Sequence, residues 1–357
     1  MRSLVRKNIA SLRPYSSARN EFTGTAEVYL DANESAQSFV SLATANRYPD
    51  PQAALLRSQI AEVMGLPPER TVIGSGSDEL IDNLIRIFCE PRQDSILTLN
   101  PTYGAYRVFS DINDVAVKTF DLDSEFAIDQ SSLEEFLAAE RAARTLEGGQ
   151  TKLFFLCSPN NPTGNAFSLE TIEAVCECFD GIVAVDEAYQ DFSSRESAVS
   201  LLDRYEKLVV LRTFSKAWGI ASARVGIAIT SPGIVALIAS MKYPYNVGGP
   251  SQALALEALS RAERVRESVG RTVAERERLA TEVARLPFVE RVFPSDANFF
   301  LVRVREAKAV YRALVEKGII VRDRSGELHC SECLRLTVGS SEENERLLNA
   351  LKEYGRG

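Results

Sequence analysis

The sequence predicts an α/β protein, with a large domain on a mainly parallel sheet covered by helices and a smaller α+β unit after it. Three observations carry that expectation. Short, continuous apolar runs, such as residues 153–156 (LFFL), 181–185 (GIVAV) and 208–211 (LVVL), alternate with segments of helical periodicity. Strands apolar on both faces belong to parallel sheets covered on both sides. From residue 251 to about 286 the pattern reads as one long charge-rich helical stretch, a natural connector between domains. Finally, 357 residues are enough for two domains and a large core.

Taken in order, residues 1–35 show little periodicity and read as an extended arm. Helix is expected at 53–64, strand at 71–73, helix at 78–88, strand at 95–99 and helix at 133–143. A strand at 153–156, a helix at 169–179 and strands at 181–185 and 208–211 complete the large domain, placed at residues 36–250. Within the small domain, 251–357, the runs 299–304, 319–321 and 334–338 read as strands and 307–317 as helix.

Composition excludes several classes of function. A net charge of -8 opposes nucleic acid or anionic membrane as a main partner, since both select for basic surfaces. No apolar run approaches the ~20 residues that span a bilayer. The basic, serine-containing start lacks the apolar core of a secretory signal, so a cytoplasmic location is expected. Six cysteines in so long a chain do not make a disulfide framework. Cys330-Ser-Glu-Cys333 and Cys176-Glu-Cys178 are badly spaced for a zinc module, so no metal is expected. The single histidine, His329, opposes a Ser-His-Asp triad.

The chemistry-bearing residues fall at strand ends, where ligands bind in such sheets. Lys216 follows the run 208–211 in Thr213-Phe-Ser-Lys216, with Arg224 eight residues on. Burial there lowers a lysine's pKa and makes its amine nucleophilic. Ser215 and Arg224 add a hydroxyl and a fixed cation suited to phosphate. A lysine beside a phosphate cradle suggests a Schiff-base lysine holding pyridoxal phosphate. Asp186 ends the run 181–185 and reads either as the partner of a pyridinium nitrogen or as a helix cap. Asn161 lies in the turn Asn-Pro-Thr-Gly after 153–156, aimed at the same edge. Gly74-Ser-Gly-Ser77-Asp78 opens a helix, whose exposed N–H groups suit a phosphate unless Ser77 merely caps it. Tyr103, after the strand at 95–99, is placed to stack on a ring. Arg322 and Arg335 sit in apolar runs of the small domain, where burial would demand an anionic partner.

The ordered set GSGSDEL, NPTYG, CSPNNPTG, VDEAY, RTFSKAWGIASARVG, FPSDANFFLVR and CLRLTVG resembles the fold-type-I enzymes that use pyridoxal phosphate. Within them it is most similar to the histidinol-phosphate aminotransferase family, with LRPYSSAR, LDANE, NRYPDP and IVRDR as the favouring segments. The resemblance runs from Leu12 to the C-terminus. It implies that Lys216 forms the Schiff base and then acts as general acid and base. By the same resemblance Asp186 holds the pyridinium nitrogen, Asn161 and Tyr189 the ring's phenolic oxygen, and Tyr103 stacks on the ring. Ser77, Asp78, Ser215 and Arg224 would cradle the phosphate. Tyr48 would reach the partner subunit's cofactor, which implies a homodimer. Tyr15, Asn33, Arg322 and Arg335 would lie at the substrate.

The implied reaction is ping-pong: glutamate leaves as 2-oxoglutarate, then imidazole-acetol phosphate becomes histidinol phosphate, reversibly. Two chemistries on the same scaffold share these motifs, O-phosphothreonine decarboxylation and aromatic-amino-acid transamination. The residues after Asn33, Glu34-Ser-Ala-Gln-Ser-Phe, lack the proline often found there in the family, and Cys330 adds a second cysteine beside Cys333.

Overall fold

The computed structural model describes residues 3–13, 27–42, 44–147 and 149–356. The main sheet has seven strands: β1 (Thr71–Ser75), β2 (Ser95–Asn100), β3 (Ala116–Asp121), β4 (Thr151–Cys157), β5 (Ile182–Asp186), β6 (Leu208–Thr213) and β7 (Val225–Thr230). Their order is β1-β7-β6-β5-β4-β2-β3. Strands β2 to β6 run parallel, while β7 is antiparallel to both β6 and β1. Two reversals restore direction, so the carboxyl end of β1 lies on the same edge as those of β2, β4, β5 and β6. The amino end of β7 lies there too.

Alternation along each strand explains why both faces are apolar. In β6, Leu208 and Val210 enter one core cluster and Val209 and Leu211 the other. Strand β5 repeats this with Val183 and Val185 against Ile182 and Ala184. Each buried Val, Leu or Ile among them contributes roughly 1.5–3 kcal/mol by leaving water.

The helices of the large domain, with the turn α1 (Lys7–Ala10), are α2 (Ala54–Met64), α3 (Gly76–Phe88), α4 (Ala105–Ile112), α5 (Gln130–Glu147), α6 (Leu169–Cys178) and α7 (Pro232–Met241). α3 buries Leu80, Ile81, Leu84, Ile85 and Phe88. Within the segment read as an extended arm, α1 and its approach bury Leu4, Val5 and Ile9 in the core cluster that also holds Ile87 and Phe88. The Arg6 amide donates to the Ile87 carbonyl at 3.0 Å and fixes that contact.

The long stretch after residue 250 is two helices, α8 (Gly249–Ser260) and α9 (Ala262–Ala284). Arg261, at φ -111° and ψ 23°, leaves helical geometry and ends one helix while starting the next. Helix α8 buries Ala255 and Leu259 in the core of the main sheet. Beyond α9 come β8 (Val289–Val292), β9 (Phe299–Val304), α10 (Ala307–Glu316), β10 (Arg322–Asp323), β11 (Cys333–Thr337) and α11 (Ser341–Tyr354). Their four-stranded sheet, β10-β11-β9-β8, is wholly antiparallel.

The strand expected at 319–321 begins instead at Arg322. The Ile319 amide is already used by the end of α10, donating to the Leu314 carbonyl at 2.9 Å. Pairing with β11 therefore starts three residues later, with Arg322 opposite Arg335.

Candidate active site

A cavity of about 190 Å³ opens at the edge where the strand ends meet, lined among others by Ser77, Asp78, Tyr103, Asn161, Asp186, Tyr189, Ser215, Lys216 and Arg224. Nine of the residues expected at the site are thus brought together. Each hangs from a different place on one sheet edge: Ser77 and Asp78 just after β1, Tyr103 after β2, Asn161 after β4, Asp186 at the end of β5, Lys216 after β6. Arg224 precedes β7, and the antiparallel course of that strand is what carries it to the same edge.

Asp186 lies at the floor of the cavity, 3% exposed. Its Oδ2 accepts the Tyr106 hydroxyl at 2.7 Å and its Oδ1 the Ala188 amide at 3.1 Å. Neither partner is a cation. Burial pushes its carboxyl up to about 6, against the lowering by the Tyr106 hydroxyl and the Ala188 amide. Lys216 is held in the turn after β6 with its Nζ 5.4 Å from the centre of the Tyr189 ring. Burial, seconded by the nearby Arg335 cation, lowers its pKa from the usual lysine value. The Tyr189 phenol is likewise raised, chiefly by burial.

The third corner is built for an anion. Helix α3 begins with Ser75 at its N-cap; Glu79 accepts the Ser75 amide at 2.5 Å, and the Ser75 side chain caps none of the first-turn amides. The capping role open to Ser77 is therefore not the one it plays. Ser77 and Asp78 lie in the first turn, where backbone N–H groups lack helical partners. The Arg224 guanidinium reaches them, 3.2 Å from Asp78 Oδ2 and 3.1 Å from Ser215 Oγ. That approach requires glycine at 76, at φ +80°, because a Cβ would stand 2.6 Å from Arg224 Nη2. At Gly226 a Cβ would meet the Ser77 amide at 2.2 Å. Tyr103 donates to Asp78 Oδ1 at 3.3 Å, and burial raises its phenol to about 12.

Arg335, from the small domain, stands beside the cavity against its lining residue Asn161. Its Nη1 donates to Asn161 Oδ1, its guanidinium lies 5.0 Å from the Phe299 ring centre, and its buried Nε has no hydrogen-bond partner. It forms no ion pair with any described residue, and burial lowers its pKa. A half-buried arginine with no paired acid is free to accept an anion.

Other expected residues stand elsewhere. Arg322 is exposed, so the anionic partner argued for it from burial is not needed. Asn33 is exposed at φ 54°, and Tyr48 is exposed and stacked on Tyr245 at 4.5 Å. Neither lines the cavity. Glu34 ties their two segments together, accepting the Tyr48 amide and the Arg47 guanidinium, each at 2.7 Å. Tyr15 lies outside the described residues. No group of three or more potential metal ligands occurs among the described residues, the two cysteine pairs included. No described helix is long and apolar enough to cross a membrane.

Sequence reasoning missed two residues. Tyr106 was legible only as an aromatic one turn after Tyr103. Asn160, fully buried, donates to Thr163 Oγ1 and the Pro101 carbonyl and accepts from Thr102. It ties the loop that carries Tyr103 to the loop that carries Asn161.

The architecture is that of the fold-type-I transferases. The family model for aminotransferase class I and II matches residues 18–351, so the chain belongs to that family. It is 44% identical over 354 residues to the histidinol-phosphate aminotransferase of Parabacteroides distasonis, covering 99% of this chain and 98% of that protein. Two solved histidinol-phosphate aminotransferases share the fold. That from Clostridium acetobutylicum has a TM-score of 0.78 at 24% identity, covering 88% of this chain and 92% of the other. That from Sinorhizobium meliloti, in complex with pyridoxal-5'-phosphate, has a TM-score of 0.77 at 23% identity, covering 87% and 83%.

Proposed function

We propose that this chain is a pyridoxal-phosphate-dependent aminotransferase acting between histidinol phosphate and 2-oxoglutarate, in histidine biosynthesis. The observation that carries the cofactor is Asp186, a buried carboxylate with no cationic hydrogen-bond partner, in one cavity with Lys216 and the first turn of a helix. The residues fit a planar cation with a phosphate tail. Asp186 would hold the ring nitrogen, Asn161 and Tyr189 the phenolic oxygen, and Tyr103 would cover the ring face. Ser77, Asp78, Ser215 and Arg224 would hold the phosphate. When bound, the cofactor supplies an aldehyde for amine capture and an electron sink that makes the substrate's Cα–H acidic.

The protein's own groups do the rest. A lysine whose pKa is lowered by burial gives up and takes back a proton at Nζ more readily than an exposed one. Arg335 positions the substrate by its anionic end, exchanging Asn161 for a carboxylate or phosphate oxygen. A guanidinium fork serves both anions, as a ping-pong enzyme with two different substrates requires. Full-length similarity at 44% identity supports histidinol phosphate as the amino donor.

The assembly follows from the same reading. Tyr48, exposed and outside its own cavity, would reach the partner subunit's phosphate in a homodimer. Tyr15 and Asn33 would complete the substrate side, with the exposed Arg322 at its rim rather than in contact. The cytoplasm is the location proposed. The small domain is proposed to begin near the break at Arg261, since α8 packs on the main sheet.

Borohydride reduction of the purified protein with pyridoxal phosphate is expected to fix the cofactor to the Lys216 peptide. Label elsewhere, or none, overturns the cofactor assignment. Histidinol phosphate is expected to discharge the cofactor's visible band faster than phenylalanine. The reverse order, or CO₂ release from O-phosphothreonine, overturns the substrate.

A further inference from the structure

Tyr106 is fully buried on α4, with its ring stacked on Phe155 at 4.9 Å and perpendicular to Tyr103 at 5.5 Å. Packing alone would be served equally by phenylalanine. The hydroxyl is therefore the informative part, and it donates to Asp186 Oδ2 at 2.7 Å. The Ala188 amide holds the other carboxylate oxygen at 3.1 Å. Bound on both oxygens, the carboxylate cannot rotate, and its remaining lone pairs are left to the cavity.

We propose that Tyr106 is a positioning residue: its hydroxyl holds Asp186 oriented and ionised, so that a carboxylate rather than a neutral acid meets the cation bound above it. The inference rests on the cofactor reading above.

The groups around Asp186 show why it needs help. Asp78, on α3, opposes its ionisation, while Lys216, in the turn after β6, supports it. Cys157, on β4, is a buried thiol whose pKa burial raises, and Tyr103 and Tyr189 are phenols raised by burial as well. All three are neutral at working pH. Among the neighbours that favour the carboxylate, Tyr106 has the largest effect, and its own phenol is raised so far by burial that it remains a donor throughout.

The test is pyridoxal phosphate titrated into apoenzyme across pH, followed by fluorescence, for wild type, Tyr106→Phe, Asp186→Asn and the double variant. Tyr106→Phe is expected to weaken binding roughly tenfold at pH 7.5 and to move the acid limb of the profile up by about one unit. In the Asp186→Asn background the same change is expected to do nothing further. A Tyr106→Phe profile superimposed on wild type, or an equal loss with Asn at 186, overturns the role of Tyr106. Replacement of Tyr106 by 3-fluorotyrosine, a stronger donor of nearly equal size, keeps the packing and is expected to move the limb down; an unmoved limb also overturns it. Wild-type apoenzyme that takes up no pyridoxal phosphate overturns the cofactor reading instead.

Discussion

The large-domain wall of the cavity and the small-domain side next to it are built on opposite plans. On the large-domain side Asp186 has Tyr106 and Ala188, and Arg224 has Asp78 and Ser215, while Lys216 has the Tyr189 ring face alone. On the small-domain side Arg335 has only an amide oxygen and an aromatic face, and Arg322 stands exposed. The first wall is set before anything binds, as suits a resident group that must be held in one orientation. The second keeps its cation unneutralised, as suits anions that come and go with each half-reaction.

Four experiments break or sharpen this contrast. Lys216→Ala removes the group proposed to move protons and is expected to lower turnover by roughly 10²–10⁴-fold, at unchanged thermal stability. Turnover within a factor of a few of wild type would show that another base does this work. Arg335→Ala is expected to cost about 2–5 kcal/mol in kcat/KM for both glutamate and histidinol phosphate. If only one substrate suffers, the shared anion site is wrong.

Asp186→Asn turns the preset wall against itself. The carboxyl titrates near 6 in the folded protein against 3.8 as its ordinary value. Because the folded pKa is raised, ionisation penalises the fold: stability falls as pH rises from about 4 to about 6, and the penalty is complete above that. Apo Asp186→Asn should therefore be more stable than apo wild type at pH 7.5, by up to about 3 kcal/mol, with the gap closing below pH 4. Parallel denaturation curves for the two apo-proteins across that range would contradict the burial argument. Arg322→Ala should have the smallest effect, about 0–1 kcal/mol in kcat/KM, as expected of an exposed cation. A loss as large as that of Arg335→Ala would place Arg322 against the substrate.

Legibility differed between the same two regions. Buried strands β4, β5 and β6 announce themselves as apolar runs of the right length. β3, with only Phe120 buried, and β8 do not, because half-exposed strands carry a mixed pattern. β7, buried along its whole length as β5 is, is obscured because its run, Val225–Thr230, follows so closely on the lysine segment. The break at Arg261 escaped notice, since no proline or glycine marks it. At the site, polar residues that end apolar runs were found, whereas Tyr106 and Asn160 were not. Their functional partners lie 80 and about 60 residues away, and nothing local distinguishes them from core and turn residues.

The sequence by itself determined which groups converge. A carboxylate, an amide, a lysine and a glycine-flanked helix start, each ending a buried strand of a parallel sheet, must share one edge because the strands share one direction. Only the tertiary structure decided how those groups are held. The antiparallel strand β7 brings Arg224 back to the edge. The Tyr106 hydroxyl bonds Asp186 at the floor, and Arg335 rather than Arg322 reaches Asn161 beside the cavity. Each depends on contacts distant along the chain, set by sheet order and packing, which no local pattern of residues encodes.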